Sequence, residues 1–124
     1  SNNTFSNIPQ SAVVGLDGAY SPLNISIENK TSSYTLVLTD AAKQIEMNVG
    51  SANTLTVPTN SSVAFPIGTT IVVVQTNTGQ TTVQGDSGVT LNGTPGFKLR
   101  TQWSVAVLTK RATDTWLLAG DISA

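Results

Sequence analysis

The chain has 124 residues and a net charge of −1, and it contains neither cysteine nor histidine. Disulfides, Ser-His-Asp and Cys-His nucleophile sites and ordinary zinc centres are thereby excluded. Only 10% of residues are charged, against about 25% in ordinary domains, and Thr, Ser, Asn, Gln and Gly supply the polarity instead.

The length suits one domain, which we divide into an arm over 1–23 and a β body over 24–124. In the arm, residues 9–16 suit a short helix with Val13 and Leu16 on one side, and Gly15, Gly18 and Pro22 limit its length. The segment has no core of its own and is expected to need another surface. The chain opens at Ser1 without a Met, which suggests a piece of a longer protein.

Short alternating strands follow. Residues 24–28 place Ile25 and Ile27 on one side, and 34–38 place Tyr34, Leu36 and Leu38 on one face. Asp40 then suits the cap of a single turn. Residues 44–49 point Ile45, Met47 and Val49 inward and Glu46 outward. Residues 54–57 form the next strand, which Pro58 stops. Asn60 is expected to cap one helical turn, with Val63 and Phe65 sealing an end of the core.

The run Ile71-Val72-Val73-Val74 is the longest β-branched apolar stretch, and we expect a central strand covered on both faces. Thr78-Gly79 reads as a hairpin turn into residues 80–84, and 89–92 form another strand. Residues 102–109 follow with Trp103, Val105 and Val107 on one face. A last turn over 110–113 leads to a closing strand over 114–120. About eight strands, turns every 8–12 residues and no fixed-period repeat predict an all-β fold, specifically an antiparallel, jelly-roll-like β-sandwich.

Chemistry is sparse. The cations Lys30, Lys43, Lys98, Arg100, Lys110 and Arg111 are scattered, so no nucleic-acid partner is expected. The longest apolar run falls far short of the ~20 residues of a membrane helix, so no membrane insertion is expected. Asp17, Glu28, Asp40, Glu46, Asp86, Asp114 and Asp121 sit at turns or on polar strand faces, where capping and solubility explain them better than paired acid–base work. We expect no enzyme activity, no cofactor and no metal. Trp103 and Trp116 are assigned to the core, because both lie in apolar alternating strands. Tyr20, beside Pro22, and Phe97, beside Gly96, are the candidate surface contacts.

The blocks Tyr34-Thr35-Leu36-Val37-Leu38-Thr39-Asp40-Ala41, Asn53-Thr54-Leu55-Thr56-Val57-Pro58 and Phe65-Pro66-Ile67-Gly68-Thr69 resemble a C-terminal module of tail fibres and related virion structural proteins of tailed bacteriophages. The ending Trp116-Leu117-Leu118-Ala119-Gly120-Asp121 is similar to the last strand of such modules, and residues 5–16 resemble the segments that join fibre shafts to distal domains. The shared motifs are turns, strand caps and core positions, so the resemblance transfers no binding residue. It implies an extracellular, virion-borne, non-enzymatic distal domain, commonly a homotrimer, that attaches the particle to bacterial polysaccharide or lipopolysaccharide. A purely structural virion module, such as a head decoration or spacer, is the alternative. A carbohydrate-binding module attached to a polysaccharide-degrading enzyme is a third.

Overall fold

The structure, a computed structural model, describes residues 24–124, and the expected arm over 1–23 lies outside the described residues. Eleven strands follow one another: β1 (Ile27–Lys30), β2 (Tyr34–Thr35), β3 (Gln44–Met47), β4 (Asn53–Val57), β5 (Thr70–Gln75), β6 (Thr81–Gly85), β7 (Thr90–Gly93), β8 (Lys98–Leu99), β9 (Val105–Ala112), β10 (Thr115–Gly120) and β11 (Ile122–Ser123). A single 3-10 turn, Leu38–Asp40, is the only helical element among the described residues. The fold is all-β, as the alternating pattern predicts.

The strands form two mixed sheets, ordered β1-β3-β5-β9-β10-β7 and β11-β8-β6-β4-β2. Up to β6 the chain changes sheet with every strand, and each strand lies parallel beside the one two before it. This is the winding path of a β-solenoid. Beyond β6 the winding stops: β8 pairs antiparallel with β6 and β11, and β9 pairs antiparallel with β5 and β10. β7 adds a parallel edge to β10.

The antiparallel jelly roll of about eight strands is therefore corrected to two mixed sheets of eleven. Alternation identifies a strand and its buried face, but it says nothing about the direction of the neighbour. No period was visible because successive coils differ in length. Ile27 pairs with Gln44, Tyr34 with Leu55, Gln44 with Val72 and Asn53 with Thr81, separations of 17, 21, 28 and 28 residues.

Thr78-Gly79 makes no hairpin, since β5 and β6 belong to different sheets. Residues 76–80 instead form a corner stacked on the preceding corner over 48–52. The Gly79 amide donates to the Val49 carbonyl at 2.9 Å, and a Cβ on Gly79 would collide with the carbonyls of Val49 and Ser51. A buried polar network locks the two corners together. The Thr81 hydroxyl donates to Asn53 Oδ1 at 2.7 Å, and Asn53 Nδ2 donates to the carbonyls of Ser51 and Gly79 at 2.9 and 3.2 Å. Gln75 accepts from the Thr81 amide at 3.1 Å and donates to the Asn77 carbonyl at 3.1 Å. The side chains of Asn53, Gln75 and Thr81 thus find partners, which removes a desolvation cost of about 1–3 kcal/mol apiece.

The core fills the space between the sheets. Leu36, Ile45, Met47, Leu55, Val57, Ile71, Val73, Val83, Leu99, Leu108, Trp116 and Leu118 are all essentially buried. Full burial of such a side chain contributes roughly 1.5–3 kcal/mol. Phe65 closes one end, its ring edge-on to Trp116 with centroids 5.5 Å apart at 88°, while Val63 packs half-buried beside it. The one-turn motif ahead of Phe65 is capped by Thr59, whose hydroxyl accepts from the Ser62 amide at 3.3 Å, and not by Asn60.

β5 is the central strand expected, between β3 and β9, with Ile71 and Val73 in the core. Alternation puts Val72 and Val74 on the outer face, where Val74 is buried but Val72 stays half-exposed. The strand is therefore covered fully on one face and locally on the other.

β9 reverses the expected phase. Ala106, Leu108 and Lys110 point inward and are buried, whereas Trp103 is 67% and Val105 45% exposed. Apolar residues occupy both phases of this segment, so alternation does not choose between them, and β9 runs on through Ala112 in place of the expected last turn over 110–113. The protein buries the lysine within that strand. Its ammonium donates to Asn60 Oδ1 at 2.6 Å and to the Phe65 carbonyl at 2.7 Å. Lys110 thereby ties the loop between β4 and β5 to the sheet.

Candidate interaction surface

Among the described residues no pocket is found, and no group of three or more Asp and Glu converges as a metal site would require. No helix among them is long and apolar enough to cross a membrane. Of the two candidate contact residues, Tyr20 lies outside the described residues, and Phe97 is half-buried against the core.

The described carboxylates are each engaged locally, and Asp17 lies outside the described residues. Glu28 meets Lys43 at 3.2 Å and Lys30 at 3.5 Å, and its carboxyl is held below the usual range, chiefly by the Lys43 hydrogen bond. Glu46 accepts from Gln44 at 2.8 Å, Asp86 from the Ser87 amide at 2.8 Å, and Asp114 from the Asn60 amide at 2.7 Å. Asp121 takes both arms of the Arg100 guanidinium, at 2.8 and 3.0 Å, and the Ser104 hydroxyl at 2.7 Å. These bonds, the Arg100 bond foremost, lower its pKa.

Asp40 does the capping its position suggests, from the last residue of the 3-10 turn. It is buried and reaches back to accept from the Val37 amide at 2.9 Å and from the Tyr34 hydroxyl at 2.6 Å. The Tyr34 ring also carries the Lys30 ammonium 4.1 Å from its centroid. Desolvation first, and then the hydrogen bond to Asp40, push the Tyr34 pKa well above its ordinary value of 10.0. A phenol whose folded pKa is raised stabilises the fold fully below the unfolded value, and that contribution is lost as pH rises from about 10 towards the folded pKa. The urea midpoint is therefore expected to fall above pH 10, and Tyr34→Phe to flatten that alkaline loss. Identical alkaline profiles for the two proteins would show that the bond does not couple to folding.

Among the described residues, the most exposed of the large apolar side chains is Trp103. It sits in the turn over 101–104, closed by the Ser104 amide donating to the Thr101 carbonyl at 3.1 Å. Trp103 takes the third position with φ 74°, the left-handed conformation that a type II turn requires there and that glycine usually supplies. For a tryptophan this backbone costs about 1–2 kcal/mol. The turn is held firmly nonetheless. The Trp103 amide donates to the Gln75 carbonyl at 2.6 Å, Gln102 Nε2 donates to the Thr76 carbonyl at 3.2 Å, and the Thr101 amide donates to Ser104 Oγ at 3.0 Å.

The ends of β3 and β5 lie beside this turn, since the Thr76 amide donates to the Met47 carbonyl. Asn48, Asn77 and Gln102 therefore line one margin of the molecule, with Asn77 Nδ2 donating to Asn48 Oδ1 at 3.0 Å. In sequence this site was hidden, because the turn holds no glycine or proline and reads as the start of a strand. Apolar Val105 and Leu117 continue from it over the outer face of the six-stranded sheet, both more than a third exposed. No protein-family model matches the chain, and neither does any curated protein or solved structure.

Proposed function

We propose that the chain is the terminal module of a bacteriophage tail fibre, a non-enzymatic, virion-borne domain that attaches the particle to a glycan of the bacterial surface. The observation that carries this reading is the asymmetry of the stack. At one end, β1 and β2 are the outermost strands of their sheets, with the parallel winding starting at that edge. At the other end the winding gives way to the antiparallel strands β8 to β11. Such a stack has one end where the same parallel winding can be extended and one end, edged by β7 and β11, that has left it, which suits the tip of a longer, wound shaft. The outward apolar residues Ile25, Ile27, Val37 and Leu38 lie at the open end, where an upstream coil would cover them.

Three copies around a fibre axis complete the proposal. Sedimentation of the 124-residue chain is expected to give a trimer, and the chain is expected to compete with phage for adsorption to host cells. A monomer at micromolar concentration would refute the trimer, and failure to compete would refute attachment. The alternative, a structural spacer, predicts the same open end but no competition.

A further inference from the structure

We propose that Trp103 and the amides of Gln102, Asn77 and Asn48 form the shelf on which a neutral sugar ring of the surface glycan stacks. The assignment rests on the attachment reading above and names its site. Three observations converge on it. Trp103 presents an apolar ring at 67% exposure. It does so from a backbone conformation that glycine would occupy without strain, φ 74°, and strain of this kind persists where the surroundings over-determine it and is concentrated at binding sites. The margin beside it is a row of hydrogen-bonding amides, next to a Thr76 hydroxyl that has no partner of its own.

The chemistry selects the ligand. A pyranose offers C–H groups to an aromatic face and a rim of hydroxyls to amide donors and acceptors. The charged groups adjoining the shelf are paired, Arg100 with Asp121 and Lys30, beside Asn48, with Glu28, so the shelf offers chiefly hydrogen bonds. That favours neutral hexoses over acidic ones. The turn is braced from behind by the contact of Ser104 Oγ with Asp121. The backbone that carries the ring is thus set before the ligand arrives, which lowers the ordering cost of binding.

The test uses the full chain on an array of bacterial surface polysaccharides. The wild-type chain is expected to retain neutral polymers. Trp103→Gly is expected to weaken them about thirty-fold, the scale of a truncated tryptophan hot spot. Trp103→Phe should keep most of the binding. The glycine variant also separates this role from a structural one, because relieving the turn should leave its urea midpoint unchanged or raised while binding is lost. Equal retention of polysaccharide by Trp103→Gly would overturn the shelf and leave attachment standing at another face. No retention by the wild-type chain would overturn the attachment reading and the shelf with it. Conversion of the trimer to a monomer by Trp103→Gly would overturn the shelf as well, since the ring would then be a contact between copies.

Discussion

Val73→Asp is expected to leave the chain unfolded. Val73 is fully buried and lies in register between Ile45 of β3 and Ala106 of β9, so the new carboxylate would face the core between two hydrocarbon side chains. An unpaired carboxylate there costs several kcal/mol even after it takes up a proton, a large part of the roughly 5–15 kcal/mol that holds a domain together. Val73→Ala removes volume without adding charge and should cost only about 2 kcal/mol. Far-UV circular dichroism and size-exclusion chromatography distinguish the two. A folded Val73→Asp chain with an unchanged thermal midpoint would show that β5 does not form the centre.

Lys110→Met is expected to destabilise the protein by about 2–4 kcal/mol, read as a lower urea midpoint at an unchanged slope. The methionine keeps most of the apolar stem, so the loss isolates the ammonium. Two acceptors, half-buried Asn60 Oδ1 and the buried Phe65 carbonyl, take that ammonium's hydrogen bonds, and the Phe65 carbonyl would be left in the interior without it. Asn60→Ala should cost less, since the Phe65 bond survives it. The double variant should cost less than the sum of the two, because both changes break one network. A Lys110→Met midpoint equal to wild type would mean that Phe65 stays in place through apolar packing alone.

What was legible in the sequence follows a simple division. The inner face was read correctly at Ile45 and Met47 of β3, where one phase is apolar and the other is not. Ile25 and Ile27 alternate as cleanly but lie outward, and Leu38 leaves the face of Leu36 because the chain turns into the 3-10 turn after β2. Where both phases are apolar, as in Val105-Ala106-Val107-Leu108, burial is decided by what lies across the interior, here Asn60 and Phe65 at 50 and 45 residues' distance. Pairing direction was illegible for a related reason. A glycine-bearing corner such as Thr78-Gly79 looks the same whether the chain folds back beside itself or crosses to the opposite sheet. The network of Asn53, Gln75 and Thr81 makes that choice, and it operates between coils. The candidate site failed to show because Trp103 occupies a position normally given to glycine, so the turn carried no punctuation.

The corner containing Gly79 also divides the molecule into a side that resists insertion and a side that accepts it. On the Gly79 side the passages from the longer sheet to the shorter one are brief, over 31–33, 48–52 and 76–80, and each coil rests on the backbone of the one before. A residue inserted there would break a stack whose carbonyls already leave no room for a Cβ. The opposite passages run over 36–43, 58–69 and 86–89, and their unequal lengths contribute to the lack of a single coil length. Length varies there at little cost, because a longer loop adds closure entropy only slowly. Ile67, 66% exposed near the end of the longest passage, marks the place where a foreign peptide or a label can be carried while the stacked corners stay intact.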